Sequence, residues 1–236
     1  MLGIITAMAV ESEAIIEKMS DVVSEKVACF SFYRGRIDSV ECVLSVSGVG
    51  KVNSAACTQA MILTYSPAFI VNIGVAGSAD SSLSIGDLVI GESFVQFDVD
   101  TSPIGDPKYM ISGINRIFIN SDAEAVSFAL ESAKLSLPEK KAVCGRIASS
   151  DKFVGGANFY LREEAASLGA LCVEMESGSI AQVALLNSVP FLAVRTVSDS
   201  ADGEAPESFE RFCLESASVA QTWLCAFIRD YLSKRL

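Results

Sequence analysis

Residues 170–199 read ALCVEMESGSIAQVALLNSVPFLAVRTVSD, a segment in which two short apolar runs flank a longer patterned one. The runs Ala170–Val173 and Pro190–Val194 have the length and composition of buried strands. Between them, Ser177–Asn187 repeats its apolar residues at the three- and four-residue intervals of one helical face. A strand, a helix and a second strand of these lengths form a right-handed crossover, so we predict two neighbouring strands of one sheet.

Acidic residues follow both strands at the point where each one ends. Glu174 and Glu176 come directly after Val173, and Ser198 and Asp199 close the second run. α/β folds place their chemistry at the carboxyl ends of strands, which meet at one edge of the sheet. We therefore expect Glu176 and Asp199 to face one cleft, where their carboxyl groups are available for acid–base chemistry.

The rest of the chain alternates strand and helix patterns without an internal repeat or a low-complexity linker, which is typical of an α/β protein. Further strands are predicted at Leu2–Thr6, Val27–Arg36, Glu41–Ser47, Ala68–Ile73, Gly86–Gln96 and Lys141–Ser150. Further helices are predicted at Glu11–Met19, Val52–Thr64, Ser121–Leu135, Asn158–Leu168 and Ser208–Leu232. Thr101–Ile114 carries Pro and Gly and is predicted to be a loop. We find no domain boundary and expect residues 1–236 to form a single domain.

The composition excludes several classes of enzyme. The chain has 236 residues, half of them apolar, which is enough to fill one core without disulfides. It contains no histidine, which excludes Ser-His-Asp and Cys-His triads and removes the usual ligand of catalytic zinc. Proton transfer then falls mainly to carboxyl groups. The seven cysteines include no C-x-x-C pair, so we expect buried thiols in a reducing compartment and no metal site.

Charge and hydropathy limit the possible partners. A formal net charge of −11 without a Lys/Arg cluster argues against a nucleic acid, because phosphate binding needs a basic stripe. The apolar N-terminal run lacks a basic flank and is followed by Glu11 and Glu13, which argues against a signal peptide. Other apolar runs are interrupted well before the roughly 20 residues of a bilayer span. We expect a cytoplasmic protein that binds neither membranes nor nucleic acids.

Seven short motifs resemble, in their order, the 5′-methylthioadenosine/S-adenosylhomocysteine nucleosidases of the nucleoside phosphorylase superfamily, over nearly the whole chain. The motifs are Gly3-Ile4-Ile5-x-Ala7-Met8-x-x-Glu11, Ser47-Gly48-Val49-Gly50-Lys51, Gly74-x-Ala76-Gly77, Asp98-x-Asp100, Ser150-x-x-Phe153, Val173-Glu174-Met175-Glu176 and Ser198-Asp199-x-Ala201-Asp202. The resemblance implies a three-layer α/β/α sandwich with a mixed central β-sheet. It also implies cofactor-free hydrolysis of adenine thionucleosides between adenine N9 and ribose C1′, and a homodimer in which Thr101–Ile114 closes the partner's pocket.

The resemblance also implies roles for individual residues. Asp199, next to Ser198, is the general acid, which protonates adenine N7 and accepts from the 6-amino group. Glu11 is the base for the attacking water, whereas Glu13 lies about 200° around the same helix. Glu176 binds the ribose hydroxyls. The other implied substrate contacts are Met175 under the sugar, Phe153 stacked on adenine, the backbone of Val154 at the adenine edge, Ala76 and Gly77 at a close main-chain approach, and Met8, Val49 and Phe209 around the 5′-thioether.

Two departures from the superfamily pattern concern the nucleophile. The chain has Asn72 and Val75 where the phosphorylases have an arginine and a serine of their phosphate site. It also has no arginine before residue 34, so water is the expected nucleophile. Val75 further replaces a small polar residue that is usual in the nucleosidases, which leaves Glu11 and Arg195 to position the water.

Alternative interpretations stay open for several residues and for the function. Glu174 is either a direct substrate contact or a supporting residue, and Arg195 either positions the water or neutralises nearby acids. Asp199 taken alone also fits a helix N-cap. For Asp98 and Asp100 we favour a structural loop over calcium, because too few oxygen ligands cluster there. The alternative functions are a futalosine-type hydrolase or phosphorylase acting on another nucleoside, and a catalytically silent nucleoside-binding protein.

Overall fold

The computed structural model describes residues 1–199, 201 and 205–235, without the side chains of 205–211. Within these residues the strands are β1 (Leu2–Thr6), β2 (Ser20–Val27), β3 (Phe30–Ile37), β4 (Val40–Val46), β5 (Phe69–Ser78), β6 (Leu88–Gln96), β7 (Phe118–Asn120), β8 (Ala142–Ser149), β9 (Ala170–Glu174) and β10 (Phe191–Asp199). The helices are α1 (Ala9–Ile16), α2 (Lys51–Tyr65), α3 (Ala123–Ser136), α4 (Leu161–Ser167), α5 (Ser177–Leu186) and α6 (Ala205–Asp230).

All of these strands belong to one mixed sheet. Five of them close into a ring in the order β10, β6, β8, β9 and β5, because β5 also pairs with β10. Strands β1, β4, β3 and β2 extend the sheet outward from β5, and β7 pairs with β6. The parallel strands β4, β1, β5 and β10 bring their carboxyl ends to one edge. The predicted α/β class with a mixed sheet is confirmed.

The prediction that the strands at 170–174 and 191–199 are neighbours is wrong. Strand β5 lies between them, since Gly77 is opposite Val173 of β9 and Ala76 is opposite Val197 of β10. Helix α5 therefore connects two strands that share a neighbour. Both strands still end beside the last residues of β5, and for that reason the acidic residues that follow them meet.

Helices cover both faces of the sheet and enclose an apolar core on each face, as a three-layer sandwich requires. A third, smaller apolar cluster includes Leu161 and Ala165 of α4. On one face α1, α3 and α6 pack on the strands around Trp223 and Phe227. On the other face α2 and α5 pack on the sheet and on each other, with Met61 and Ile180 buried. Successive strand residues alternate between the cores, as Ile4 and Ile5 of β1 do.

Two strands, β2 and β7, were not predicted from the sequence, for a physical reason in each case. Strand β2 pairs with β3 alone and is almost entirely exposed, so its sequence shows no apolar alternation. Strand β7 has three residues, too few for a periodicity. The segment Thr101–Ile114 is a loop as predicted, with one short 3₁₀ turn at Ser102–Ile104. None of the helices in the described ranges combines the length and the apolar composition that crossing a bilayer needs.

Candidate active site

A cavity of about 210 Å³ opens at the edge of the sheet where β1, β5 and β10 end. This is the edge at which α/β folds place the groups that follow their strands. The lining residues are Ala7, Met8, Glu11, Val49, Val75, Ala76, Gly77, Lys152, Phe153, Val154, Val173, Glu174, Met175, Glu176, Ser198 and Asp199. The walls are mostly apolar, and four carboxyl groups converge on the cavity from three separate parts of the chain.

Glu11 lies in the first turn of α1, and its side chain turns back toward the end of β1. Its Oε2 accepts hydrogen bonds from the backbone N–H groups of Ala7 and Met8, both at 2.9 Å, and Oε1 accepts from Val75 N–H at 3.1 Å. Burial outweighs these contacts and raises the pKa of Glu11. Glu13 is exposed, so Glu11 is the acid of this helix that faces the cavity.

Glu174 borders the cavity, but other protein groups occupy its oxygens. Oε1 accepts from Ser149 Oγ, and Oε2 accepts from the backbone N–H groups of Glu176 and Ser177 at 3.0 and 2.8 Å. The Arg195 guanidinium donates to the same Oε2 at 2.5 Å. Burial alone raises the pKa of Glu174, but Arg195 and the Ser149 hydroxyl outweigh it and hold the pKa below its usual range. This geometry favours the supporting role among the two alternatives.

Glu176 lies at the N-terminus of α5 and points at the cavity. Its Oε1 accepts a hydrogen bond from Gly50 N–H at 2.9 Å, and its Oε2 is 3.9 Å from Arg195 Nη2. Gly50 has a φ of 97°, which favours glycine, and this conformation presents the N–H to the carboxylate. Burial first, and then the neighbouring Glu174, raise the pKa of Glu176 to about 7.

Arg195 does not line the cavity, contrary to its prediction as a substrate contact. Its side chain is 1% exposed and is enclosed beneath the site. Nη2 donates to Asn72 Oδ1 and to Glu174 Oε2, each at 2.5 Å. The guanidinium therefore reaches Glu174 and Glu176 within the protein interior and not across the cavity. The alternative that Arg195 neutralises nearby acids matches this geometry.

Asp199 ends β10 and is buried in the wall formed by β5 and β10. Its Oδ2 accepts from Ser198 Oγ and its Oδ1 from Ala201 N–H, both at 2.8 Å. Gly77 makes room for it, because a Cβ built there would lie 2.8 Å from Asp199 Oδ1. The close main-chain approach expected at Gly77 is therefore toward the carboxyl group itself.

Apolar side chains complete the cavity. Met8 and Val49 lie on one side, and Phe153 and Val154 on another. Val49 is 47% exposed and Phe153 is 38% exposed, so both have surface available to a ligand. Ala76 and Met175 also line the cavity. The side chain of the predicted contact Phe209 and the motif residue Asp202 lie outside the described residues.

Sequence reasoning missed four lining residues, namely Ala7, Val75, Val173 and Lys152. The first three adjoin predicted contacts at strand ends, so the strand-end rule applied to whole motifs would have included them. Lys152 precedes Phe153, and nothing in the local pattern separates it from a solvated lysine.

An ion pair ties two walls of the cavity together. Lys51 Nζ is 2.5 Å from Asp98 Oδ1, while the backbone N–H of Asp151 donates to Asp98 Oδ2 at 2.9 Å. The backbone N–H of Lys51 also donates to Asp151 Oδ1 at 2.8 Å. These contacts join the turn that carries Val49 to the loop that carries Phe153. Asp98 therefore contacts both segments through its carboxylate.

Comparison with known proteins agrees with this arrangement. The family model of the phosphorylase superfamily matches residues 1–229. A 5′-methylthioadenosine/S-adenosylhomocysteine nucleosidase from Staphylococcus haemolyticus is 35% identical over 229 residues, which cover 97% of this chain and 99% of the relative.

Two solved structures resemble the chain closely. The 5′-methylthioadenosine/S-adenosylhomocysteine nucleosidase from Neisseria meningitidis, in complex with methylthio-immucillin-A, has a TM-score of 0.92 and 30% identity, covering 97% of this chain and 98% of that one. The futalosine hydrolase of Helicobacter pylori has a TM-score of 0.91 and 32% identity, covering 97% of both chains. The fold is thus shared by enzymes that act on different nucleosides.

Proposed function

The chain belongs to the 5′-methylthioadenosine/S-adenosylhomocysteine nucleosidase family of the phosphorylase superfamily, and from this membership and the site geometry we propose the reaction. The protein hydrolyses the N-glycosidic bond of 5′-methylthioadenosine and S-adenosylhomocysteine. The products are adenine and either 5-methylthioribose or S-ribosylhomocysteine. The observation that carries the proposal is the convergence of Glu11, Glu176 and Asp199 on one largely apolar cavity.

Departure of adenine requires a proton, which we assign to Asp199. As C1′–N9 breaks, electron density moves onto the purine, and a carboxylic acid at N7 neutralises it. The assignment is supported by the burial of Asp199 in a wall of the cavity. Phe153 stacks on the purine, and the backbone of Val154 reads its edge.

The ribose becomes cationic in the same step, and Glu176 stabilises it as an anion that accepts from the ribose hydroxyls. Such charge-assisted bonds strengthen as positive charge develops on the ring. Because burial raises the pKa of Glu176 to about 7, this role requires loss of its proton when substrate binds near neutral pH. Met175 lies beside it in the lining and packs under the sugar.

Water is the proposed nucleophile, and Glu11 accepts its proton. The raised pKa of Glu11 makes it a stronger base than a solvated carboxylate. Among the described residues of the lining, Lys152 is the only cationic side chain. With one lysine as its only cation, the described lining has little positive charge to hold a phosphate anion, which supports hydrolysis over phosphorolysis.

The 5′-substituent is assigned to the side of the cavity that Met8 and Val49 line, with Phe209 as a further contact. A thioether is a soft apolar group, so methionine and valine provide a matching environment. Ser198 contributes through its hydrogen bond to Asp199.

Adenine release tests the proposal directly. Wild-type protein should release adenine from 5′-methylthioadenosine and from S-adenosylhomocysteine at the same rate with and without phosphate. Asp199→Asn should lose a factor of ~10² to 10⁴ in kcat because it cannot donate the proton. The matched control is Asp87→Asn, since Asp87 is also buried and accepts two backbone hydrogen bonds, but lies outside the lining.

Futalosine, assayed in parallel, separates the second candidate, which the similarity to the Helicobacter pylori futalosine hydrolase favours. Cleavage of futalosine without cleavage of either adenine thionucleoside would replace the proposed substrates. A rate that depends on phosphate would replace water as the nucleophile. Binding of the thionucleosides without turnover would leave a nucleoside-binding protein.

We also propose a metabolic role, a cellular compartment and a homodimeric assembly. The reaction would serve methionine salvage and the removal of a methyl-transfer product in the cytoplasm, and the seven free thiols suit a reducing compartment. A homodimer is supported by exposed apolar side chains on the packed pair α2 and α5, among them Val52, Leu63 and Leu186. Light scattering after gel filtration measures the mass that decides the assembly.

A further inference from the structure

Asn72 occupies a position that connects the two halves of the site. It lies on β5, where its neighbours are Ile5 of β1 and Ala193 of β10. Its side chain is buried, and both ends of the amide are used. Nδ2 donates to the carbonyl oxygen of Ile5 at 2.9 Å, and Oδ1 accepts from Arg195 Nη2 at 2.5 Å.

Each of the two contacts leads to part of the proposed chemistry. Ile5 is two residues before Ala7, whose backbone N–H binds the Glu11 carboxylate. Arg195 Nη2 is the same nitrogen that lies 2.5 Å from Glu174 and 3.9 Å from Glu176. Asn72 thus contacts both β1, which leads to Glu11, and Arg195, which faces Glu176.

We propose that Asn72 is a positioning residue, whose neutral amide fixes the Arg195 guanidinium so that its charge is directed at Glu174 and Glu176. The inference rests on the proposed nucleosidase function. It adds a residue that does not line the cavity and that acts on the acids through Arg195.

The neutrality of the amide is the physical basis of this role. A carboxylate at position 72 would also accept from Arg195, but it would take a share of the guanidinium charge away from Glu176. It would also lose the donor that holds the Ile5 carbonyl oxygen. An apolar side chain of the same size would leave Nη2 without one of its two closest acceptors. An amide is therefore the group that orients the cation without neutralising it.

Several titratable groups act on this cluster, and the test must separate Asn72 from them. Glu176 is influenced by Glu174, Arg195 and Glu11. Cys172 on β9 lies near Glu174 and Arg195, and Cys213 on α6 lies near Glu11, but burial raises the pKa of both thiols. Both thiols are therefore neutral at the pH of the experiment, and the carboxyl groups dominate the profile.

The experiment measures kcat/KM for 5′-methylthioadenosine against pH, together with Tm, in wild type, Asn72→Asp and Asn72→Leu. The pH profile of kcat/KM reports groups of the free enzyme. In both variants Glu176 loses part of the influence of Arg195, so the acid limb should move to higher pH by about one unit, and further in Asn72→Asp than in Asn72→Leu. The control is Val71→Ala, on the same strand with its side chain in the opposite core. It should lower Tm without moving the acid limb.

The outcomes distinguish failure of the proposed function from failure of the positioning role of Asn72. If wild type releases no adenine, the proposed function fails. If wild type is active and a folded Asn72 variant keeps the wild-type acid limb, the positioning role is overturned. Should Asn72→Leu not fold, Asn72→Asp carries the test alone, because its shape is nearly that of asparagine. Loss of folding in both, with Val71→Ala folded, would assign Asn72 to stability alone and also overturn the role.

Discussion

Glu174→Gln tests the buried ion pair, because it removes one negative charge with almost no change in shape. The side chain of Glu174 is 2% exposed and that of Arg195 is 1% exposed, with their closest atoms 2.5 Å apart. Removing one partner of a buried pair costs about 3–5 kcal/mol, since the other charge stays buried and unpaired. Glu176 lies 3.9 Å from the same nitrogen and can partly replace the lost partner. We therefore expect ~3 kcal/mol, or a fall in Tm of about 6–12 °C for a chain of this size.

The same variant should lose stability but keep its activity to lower pH than wild type. Glu174 is, after burial, the largest influence that raises the pKa of Glu176. Without it, and with Arg195 released toward Glu176, the pKa of Glu176 falls. The acid limb of kcat/KM should consequently move to lower pH, in the direction contrary to that expected for Asn72→Asp.

Thermal unfolding and a pH series of adenine release measure both effects. The control is Glu164→Gln, which breaks an ion pair of similar length, 2.7 Å to Lys108, on the surface. Exposed pairs contribute little, so Tm should hardly change. A fall in Tm no larger than that of the control would refute the electrostatic reasoning, and so would an acid limb that stays in place or moves to higher pH.

Two further predictions concern Glu176 and Gly77. The folded protein holds a proton on Glu176 up to about pH 7, whereas the unfolded chain releases it near the ordinary value of 4.5, so wild-type stability falls as pH rises through this window. Relative to wild type, the free energy of unfolding of Glu176→Gln should gain on the order of 3 kcal/mol as pH rises between those values. A difference between the two proteins that stays constant with pH would contradict this. Gly77→Ala should lower kcat and destabilise the fold by about 1–3 kcal/mol, because its Cβ would lie 2.8 Å from Asp199 Oδ1. Wild-type kcat and Tm in that variant would contradict the close approach.

Much of the fold follows from local patterns along the chain. Apolar runs of strand length and three- to four-residue helical spacing predict most elements, and residues that follow strand ends, such as Asp199 and Glu176, do line the cavity. These patterns predict the elements because burial on one face of a helix, or on both faces of a strand, determines the spacing of apolar residues along the chain. Where burial is absent, as in the edge strand β2, the pattern is absent too.

Tertiary structure alone decided which groups meet. Three features bring together residues that are far apart in the sequence. Strand β5 lies between β9 and β10, Arg195 is buried beneath the site, and Asn72 contacts Ile5. The pKa values of Glu174 and Glu176 shift in opposite directions for the same reason. One carboxylate contacts Arg195 directly and the other lies 3.9 Å away. Electrostatic energies depend on distance and burial in three dimensions, and local sequence specifies neither.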